Sequence, residues 1–156
     1  CTHTLEDIYN PFLLIEEMQR VGKRGLITTP EMGMDFVHNP VDITRWGTGP
    51  QKTPGWVHHK WMFTLEKGVM KIVFKSYPVL YSPEFQIYRW LGKEEFQYFW
   101  KDNIKYEVLL DQDTHKIINN YKNYLKQNKG KYKRGVTNIF IDSPKNYLKA
   151  LIKKNH

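Results

Sequence analysis

Apolar residues recur at helical spacing near the start of the chain and in strand-like runs through its middle. Phe12, Ile15 and Met18 or Gln19, with Leu14 and Val21 beside them, form one stripe, and Glu16, Glu17 and Arg20 fall outside it. Asn10 stands where a cap belongs, Pro11 at the first helical position, and Gly22 and Gly25 just beyond, so the pattern predicts an amphipathic helix between them. Upstream, Thr4-Leu-Glu-Asp reads as an earlier cap with Asp7 in a first helical turn.

Leu26–Thr29, Met32–Val37 and Val41–Trp46 read as short strands, broken by Pro30 and His38-Asn-Pro40. Between Trp56 and Phe74 two aromatic and branched runs flank Glu66-Lys67-Gly68, where glycine supplies the positive φ of a tight hairpin turn. Val69, Ile72 and Phe74 are apolar there while Lys71 and Lys75 are charged, an imperfect alternation. Tyr77-Pro78 and Ser82-Pro83 mark turns or an edge bulge. Phe85–Leu91 and Glu95–Trp100, around Gly92-Lys93, read as a second hairpin, followed by a strand at Ile104–Leu110.

At Asp113 the period returns to that of a helix. Asp113 or Thr114 caps it, Ile117, Ile118, Tyr121, Tyr124 and Leu125 share a face, and it ends near Asn128. Lys129 to Gly135 reads as a basic loop and Thr137–Ile141 as a strand. Ser143-Pro144 caps a last helix, with Tyr147, Leu148, Leu151 and Ile152 inward and Lys145, Lys149, Lys153 and Lys154 outward. The expectation is a single α+β domain over residues 1–156. It has an aromatic-rich, largely antiparallel sheet at 26–110, an N-terminal helix, and a basic part at 112–156 with two helices.

Composition agrees with a folded chain. Hydrophobic residues make up 40% and charged residues 26%, which argues against disorder. Of the aromatic residues, 14 lie between Trp56 and Tyr106, more than one small core is expected to absorb. The net charge is +8, and the excess is confined to one end: residues 112–156 carry +9 and residues 1–111 carry −1. A localised basic end points to a polyanionic partner. Cys1 is the sole cysteine, so no intrachain disulfide forms. An N-terminal cysteine fits a chain boundary, a lipid-modified residue or a nucleophile. No run approaches the ~20 apolar residues of a membrane helix.

Candidate chemistry falls in three places. The first is the basic end: Lys129, Lys131, Lys133 and Arg134 surround Tyr132, offering cations for phosphates and a ring for a base, and Lys149 and Lys153 extend the charge along the last helix. The second is His58-His59-Lys60. A histidine beside a lysine, with Arg45 near in sequence, suits general acid–base work on a phosphodiester without a metal. If these residues lie on a strand, the two histidines point to opposite faces and only one serves a site. The bland alternative is one histidine in the core and one on the surface. The third is the Gly- and Pro-rich loop from Gly47 to Gly55, between Trp46 and Trp56, whose length and flanking rings suit it to clamping a base or a partner segment.

Metal and nucleotide signatures are weak. The chain has no HExxH, no pair of CxxC motifs and no carboxylate followed at the second position by lysine. His38, Asp42, His58 and His59 meet only if the fold gathers them, and Gly47-x-Gly49 lacks the third glycine and the strand–helix context of a dinucleotide fingerprint. No cofactor is expected. The leading expectation is a DNA- or RNA-binding domain with a basic C-terminal surface and aromatic rim residues, Trp56 among them. The alternatives are a small metal-independent ribonuclease of the toxin kind, with Lys60, Arg45 or Arg134 stabilising the phosphorane, and a secreted or lipid-anchored protein-interaction module.

Overall fold

The computed structural model of the chain describes residues 1–36, 55–56, 58–76, 85, 88–91 and 95–134. Helix α1 spans Pro11–Val21, with the Asn10 Oδ1 accepting from the Leu13 amide at 3.2 Å. Residues 4–7 form a turn instead of a helix, closed by the Asp7 amide donating to the Thr4 carbonyl. The Thr4 hydroxyl donates to the Thr2 carbonyl, so it caps nothing.

Strand β1 (Arg24–Pro30) is followed by the five-residue helix α2 (Met32–Phe36) where a strand was expected. Met32, Met34 and Phe36 fit a period of two, but a run this short also fits a single helical turn. A tertiary contact favours the turn: the Gly33 amide donates to the Tyr124 hydroxyl, while locally the Met34 amide closes the turn on the Glu31 carbonyl.

The predicted hairpin is present, beginning at Trp61. Strands β2 (Trp61–Glu66) and β3 (Val69–Phe74) pair antiparallel, and Lys67 and Gly68 at the turn have φ of 51° and 78°. Two consecutive positive φ angles match the twist of the flanking strands. Strand β6 (Tyr106–Leu109) adds to β3 in parallel.

The second predicted hairpin is not formed. Strand β4 (Tyr88–Trp90) pairs with β7 (Tyr132–Arg134), and β5 (Glu95–Lys101) pairs antiparallel with β1 over seven residues. Strand β5 alternates exposed and buried positions throughout, so its Phe96, Tyr98 and Trp100 face inward together. That face needs a partner of matching length, and β1 supplies it. Helix α3 (Thr114–Gln127) is capped by Asp113, whose carboxylate accepts from the His115 amide. Tyr132, Lys133 and Arg134 thus sit on a strand, not in the expected loop.

The architecture is α+β with antiparallel pairing predominant. Two apolar clusters lie on opposite faces of the β2–β3 hairpin. On one face Trp61, Phe63, Met70 and Ile72 pack with Ile27, Phe96, Tyr98 and Trp100 of the β1–β5 pair and Ile15 of α1. On the other, Met62 and Val73 pack against Met32, Phe85 and Tyr121, Tyr124 and Leu125 of α3. Burial on both faces explains why the hairpin sequence does not alternate cleanly. Tyr121 is wired across the join: its hydroxyl donates to the Phe74 carbonyl and accepts from the Ser76 amide, and burial pushes its pKa up to about 12.

Among the described residues no helix is long and apolar enough to cross a membrane. The expected strands at Val41–Trp46 and Thr137–Ile141 and the final helix lie outside the described residues.

Candidate functional site

Three segments meet where β2 begins. The turn at residues 6–8 is stitched to residues 58–61 by backbone bonds: the Lys60 and Trp61 amides both donate to the Glu6 carbonyl, at 2.6 and 3.2 Å. The Trp61 indole donates to the Ile8 carbonyl. Helix α2 brings Asp35 to the same place, and the end of β3 brings Lys75, whose amide donates to the Lys60 carbonyl at 3.0 Å.

Asp35, His59 and Lys75 form a buried charged group. Asp35 is 1% exposed, His59 5% and Lys75 1%, levels at which unpaired charge is not tolerated. The Asp35 carboxylate accepts from three sides: His59 Nδ1 at 2.8–2.9 Å, Lys75 Nζ at 2.9 Å and the Trp56 amide at 3.2 Å. Lys75 also donates to the Trp56 carbonyl at 2.6 Å. Burial alone would raise the Asp35 pKa, but the hydrogen bond from His59 and the charge of Lys75 outweigh it and hold the carboxyl below the usual aspartate range. An ionised carboxylate only accepts, so His59 Nδ1 carries a proton. With Nδ1 committed to Asp35, the remaining ring nitrogen, Nε2, faces Asp7 Oδ1 at 3.8 Å and is the one with which the ring, when neutral, accepts a proton or binds an ion.

The backbone allows this closeness at one position. Gly55 has a φ of 57°, and a Cβ there would lie 2.4 Å from the Asp35 Cα. Glycine lets the chain entering Trp56 press directly on α2.

His58 and His59 do not face apart. Both precede β2 and so escape strand alternation. Their rings lie 4.6 Å apart, edge to face, with Trp56 at 6.0 Å from one and 5.8 Å from the other. His58 is exposed, and its Nε2 lies 3.7 Å from Asp7 Oδ1. Glu6 is buried beside them, and burial raises its carboxyl pKa against the opposing influence of its backbone hydrogen bond and of His59 and His3.

Of the residues singled out from the sequence, His58, His59, Lys60 and Trp56 come together. Lys60 plays a different part from the one expected: its ammonium donates to the Asp7 carbonyl at 2.5 Å and the His58 carbonyl at 3.3 Å, fixing one segment against the other. The basic end is also different in character. Lys131 pairs with Glu31 at 3.0 Å, and Tyr132 is half-buried and packs against the Tyr121–Tyr124 cluster. Lys129 is exposed. Arg45, Lys149 and Lys153 lie outside the described residues, as does the Gly47 loop up to Gly55, and Lys133 and Arg134 are placed only as backbone positions on β7.

Asp7, Asp35 and Lys75 were not singled out from the sequence. A usable signal existed for two of them: Asp35 follows Met32-Gly33-Met34, and Lys75 follows Ile72-Val73-Phe74, each a lone charge beside apolar residues. Asp7 gives no such signal.

Comparison with protein-family models, curated proteins and solved structures finds no match.

Proposed function

We propose that the chain is a nucleic-acid enzyme that cleaves phosphodiesters at the cluster formed by Asp7, His58 and His59. The observation that carries this reading is the doubly contacted Asp35–His59 pair. A buried carboxylate fixes both the tautomer and the orientation of an imidazole whose other nitrogen faces a second carboxylate and a second imidazole. Such an arrangement holds one ring nitrogen in a fixed direction, as a general base requires. Asp35 and Lys75 are positioning residues, since both are enclosed.

The substrate class follows from charge. Cleavage joins an attacking oxygen to phosphorus, and the bond to a sugar oxygen breaks. The cluster helps the attacking oxygen lose its proton, and the departing oxygen gains one. A strand carrying one negative charge per nucleotide is drawn to a chain whose last 45 residues carry +9 against −1 in the rest. Trp56, beside both histidines, offers a ring for the nucleotide at the cut.

The test is cleavage of labelled single-stranded RNA and DNA by the full chain. His59→Gln should abolish cutting while binding in a gel-shift assay persists. Undiminished cleavage by His59→Gln, or no cleavage of either polymer by the parent under any divalent-metal or chelator condition, would defeat the reading. A second reading, binding without cleavage, is favoured by the charge partition alone. Parent and His59→Gln would then bind alike and neither would cut.

A further inference from the structure

We infer that Asp7, His58 and His59 form a binding site for a divalent transition metal, Zn2+ foremost, with Asp35 as its supporting carboxylate. The inference deepens the proposed reading of the same cluster, but it rests on geometry and not on the substrate.

The spacing is the first argument. Asp7 Oδ1 lies 3.7 Å from His58 Nε2 and 3.8 Å from His59 Nε2, and one ligand atom from each of the three residues lies within 4.8 Å of the others. These gaps are too long for hydrogen bonds, which close at about 3 Å. Three atoms bonded to one tetrahedral ion at roughly 2.0–2.2 Å sit about 3.4 Å from each other. The two carboxylate–imidazole gaps are thus a few tenths of an ångström wider than a loaded site requires. The exposed His58 ring has the freedom to close the remaining one.

The second argument is an unsatisfied atom. Among the described residues nothing donates a hydrogen bond to Asp7 Oδ1, which is shielded from water although its side chain as a whole is 41% exposed. A carboxylate oxygen in that state costs free energy unless a cation meets it. The Lys60 ammonium nearby does not, because it donates to the Asp7 and His58 carbonyls.

The third argument is the support behind His59. Metal-bound histidines characteristically donate their second ring N–H to a carboxylate, which fixes the tautomer and raises ligand basicity. His59 Nδ1 does this to Asp35 at 2.8 Å. Asp35 is held in turn by Lys75 and the Trp56 amide. Two imidazoles and one carboxylate, three donors that leave a fourth tetrahedral position to a non-protein ligand, are a set that suits Zn2+ carrying a water. A zinc-bound water loses its proton near neutrality, which is the help the attacking oxygen needs in the proposed cleavage.

The experiment is titration of chelator-stripped full chain with Zn2+ by calorimetry, and with Co2+ by visible absorption. One ion per chain is expected, and Co2+ should develop the intense visible bands of low-coordinate cobalt. Asp7→Asn and His58→Gln change partly exposed side chains and leave the buried group intact. Each should weaken Zn2+ binding by more than the roughly 10–100-fold that loss of a supporting residue costs. Asp35→Asn should fall within that range and shift the Co2+ spectrum without removing it. Absence of saturable binding by the parent at neutral pH overturns the inference. So does binding by Asp7→Asn and His58→Gln with the parent's affinity, because the ion would then sit elsewhere. Zinc uptake by a chain that cuts no nucleic acid upholds the site and removes the proposed function. Cleavage that persists in EDTA, with no metal uptake, does the reverse.

Discussion

Asp35 and His59 stand 24 residues apart in sequence, yet the histidine Nδ1 lies 2.9 Å from one carboxylate oxygen and 2.8 Å from the other. Lys75 closes on the same carboxylate at 2.9 Å, so a carboxylate, an imidazole and an ammonium are buried together beside the core. Removing either Asp35 or Lys75 leaves the other's charge without its ionic partner, and that asymmetry makes the pair testable.

Lys75→Met should destabilise the fold by about 3–5 kcal/mol, the cost of leaving a buried partner unpaired. Asp35→Asn should cost a similar amount. The double variant should be more stable than the two losses combined predict, because removing both charges removes the mismatch. Urea denaturation of the four proteins measures the coupling, and strictly additive losses would show that the two groups do not interact.

Glu6 and Asp35 should tilt the pH–stability curve in opposite directions in metal-free protein. Asp35 titrates below its ordinary 3.8 in the folded chain, so its contribution is complete above that value and is lost as pH falls through the folded pKa. Glu6 is buried and titrates above its ordinary 4.5, so between 4.5 and its folded pKa the folded state holds more protons than the unfolded one. Stability there falls as pH rises. Glu6→Gln should flatten the melting temperature on the side above 4.5 and leave the acid limb unchanged. An unaltered curve would mean that the Glu6 carboxyl titrates alike in both states.

Gly55→Ala and Gly68→Ala should differ although both residues have positive φ. At Gly68 a Cβ meets nothing within 4 Å, so alanine pays only the left-handed conformation, about 1–2 kcal/mol. At Gly55 it also meets the Asp35 backbone at 2.4 Å. The Gly55 variant should lose more stability and lose cleavage, while Gly68→Ala cuts normally. Equal losses would argue against the contact between Gly55 and α2.

Lys60→Met tests the anchoring part assigned to that ammonium. Charged hydrogen bonds of this kind contribute about 1.5–3 kcal/mol, so stability and cleavage should fall together as the turn at residues 6–8 loosens from His58. If cleavage falls while the melting temperature stays at the parent's value, Lys60 acts on the substrate instead.

Glu31→Gln should strengthen nucleic-acid binding. Glu31 holds Lys131 Nζ at 3.0 Å, and releasing it makes one more cation available to phosphate. The slope of log affinity against log salt should steepen by up to about 0.7 on single strands or 0.9 on duplex. Lys131→Ala in the parent should change that slope by less than this. A full unit lost on Lys131→Ala would show that Glu31 yields the lysine to the ligand.

The pattern of residues determined the elements whose signals are local. Asn10 and Pro11 start α1, Asp113 starts α3, and Lys67-Gly68 turns the central hairpin, because caps and turns are settled by a few neighbouring atoms. The apolar face of α3 was legible for the same reason. What the sequence did not carry was pairing between distant segments. Strand β5 chose β1 over its neighbour β4, since the partner is selected by which buried faces fit together. The helical turn at Met32–Phe36 is favoured by Tyr124, which reaches it across 91 residues. The candidate site was half visible: the adjacent histidines and Trp56 could be read in order, but Asp7, Asp35 and Lys75 come from three other segments. Only the tertiary structure brought them to His59: it enclosed Asp35 and Lys75, charges that must then find one another, and docked the turn carrying Asp7 on the segment that carries His59.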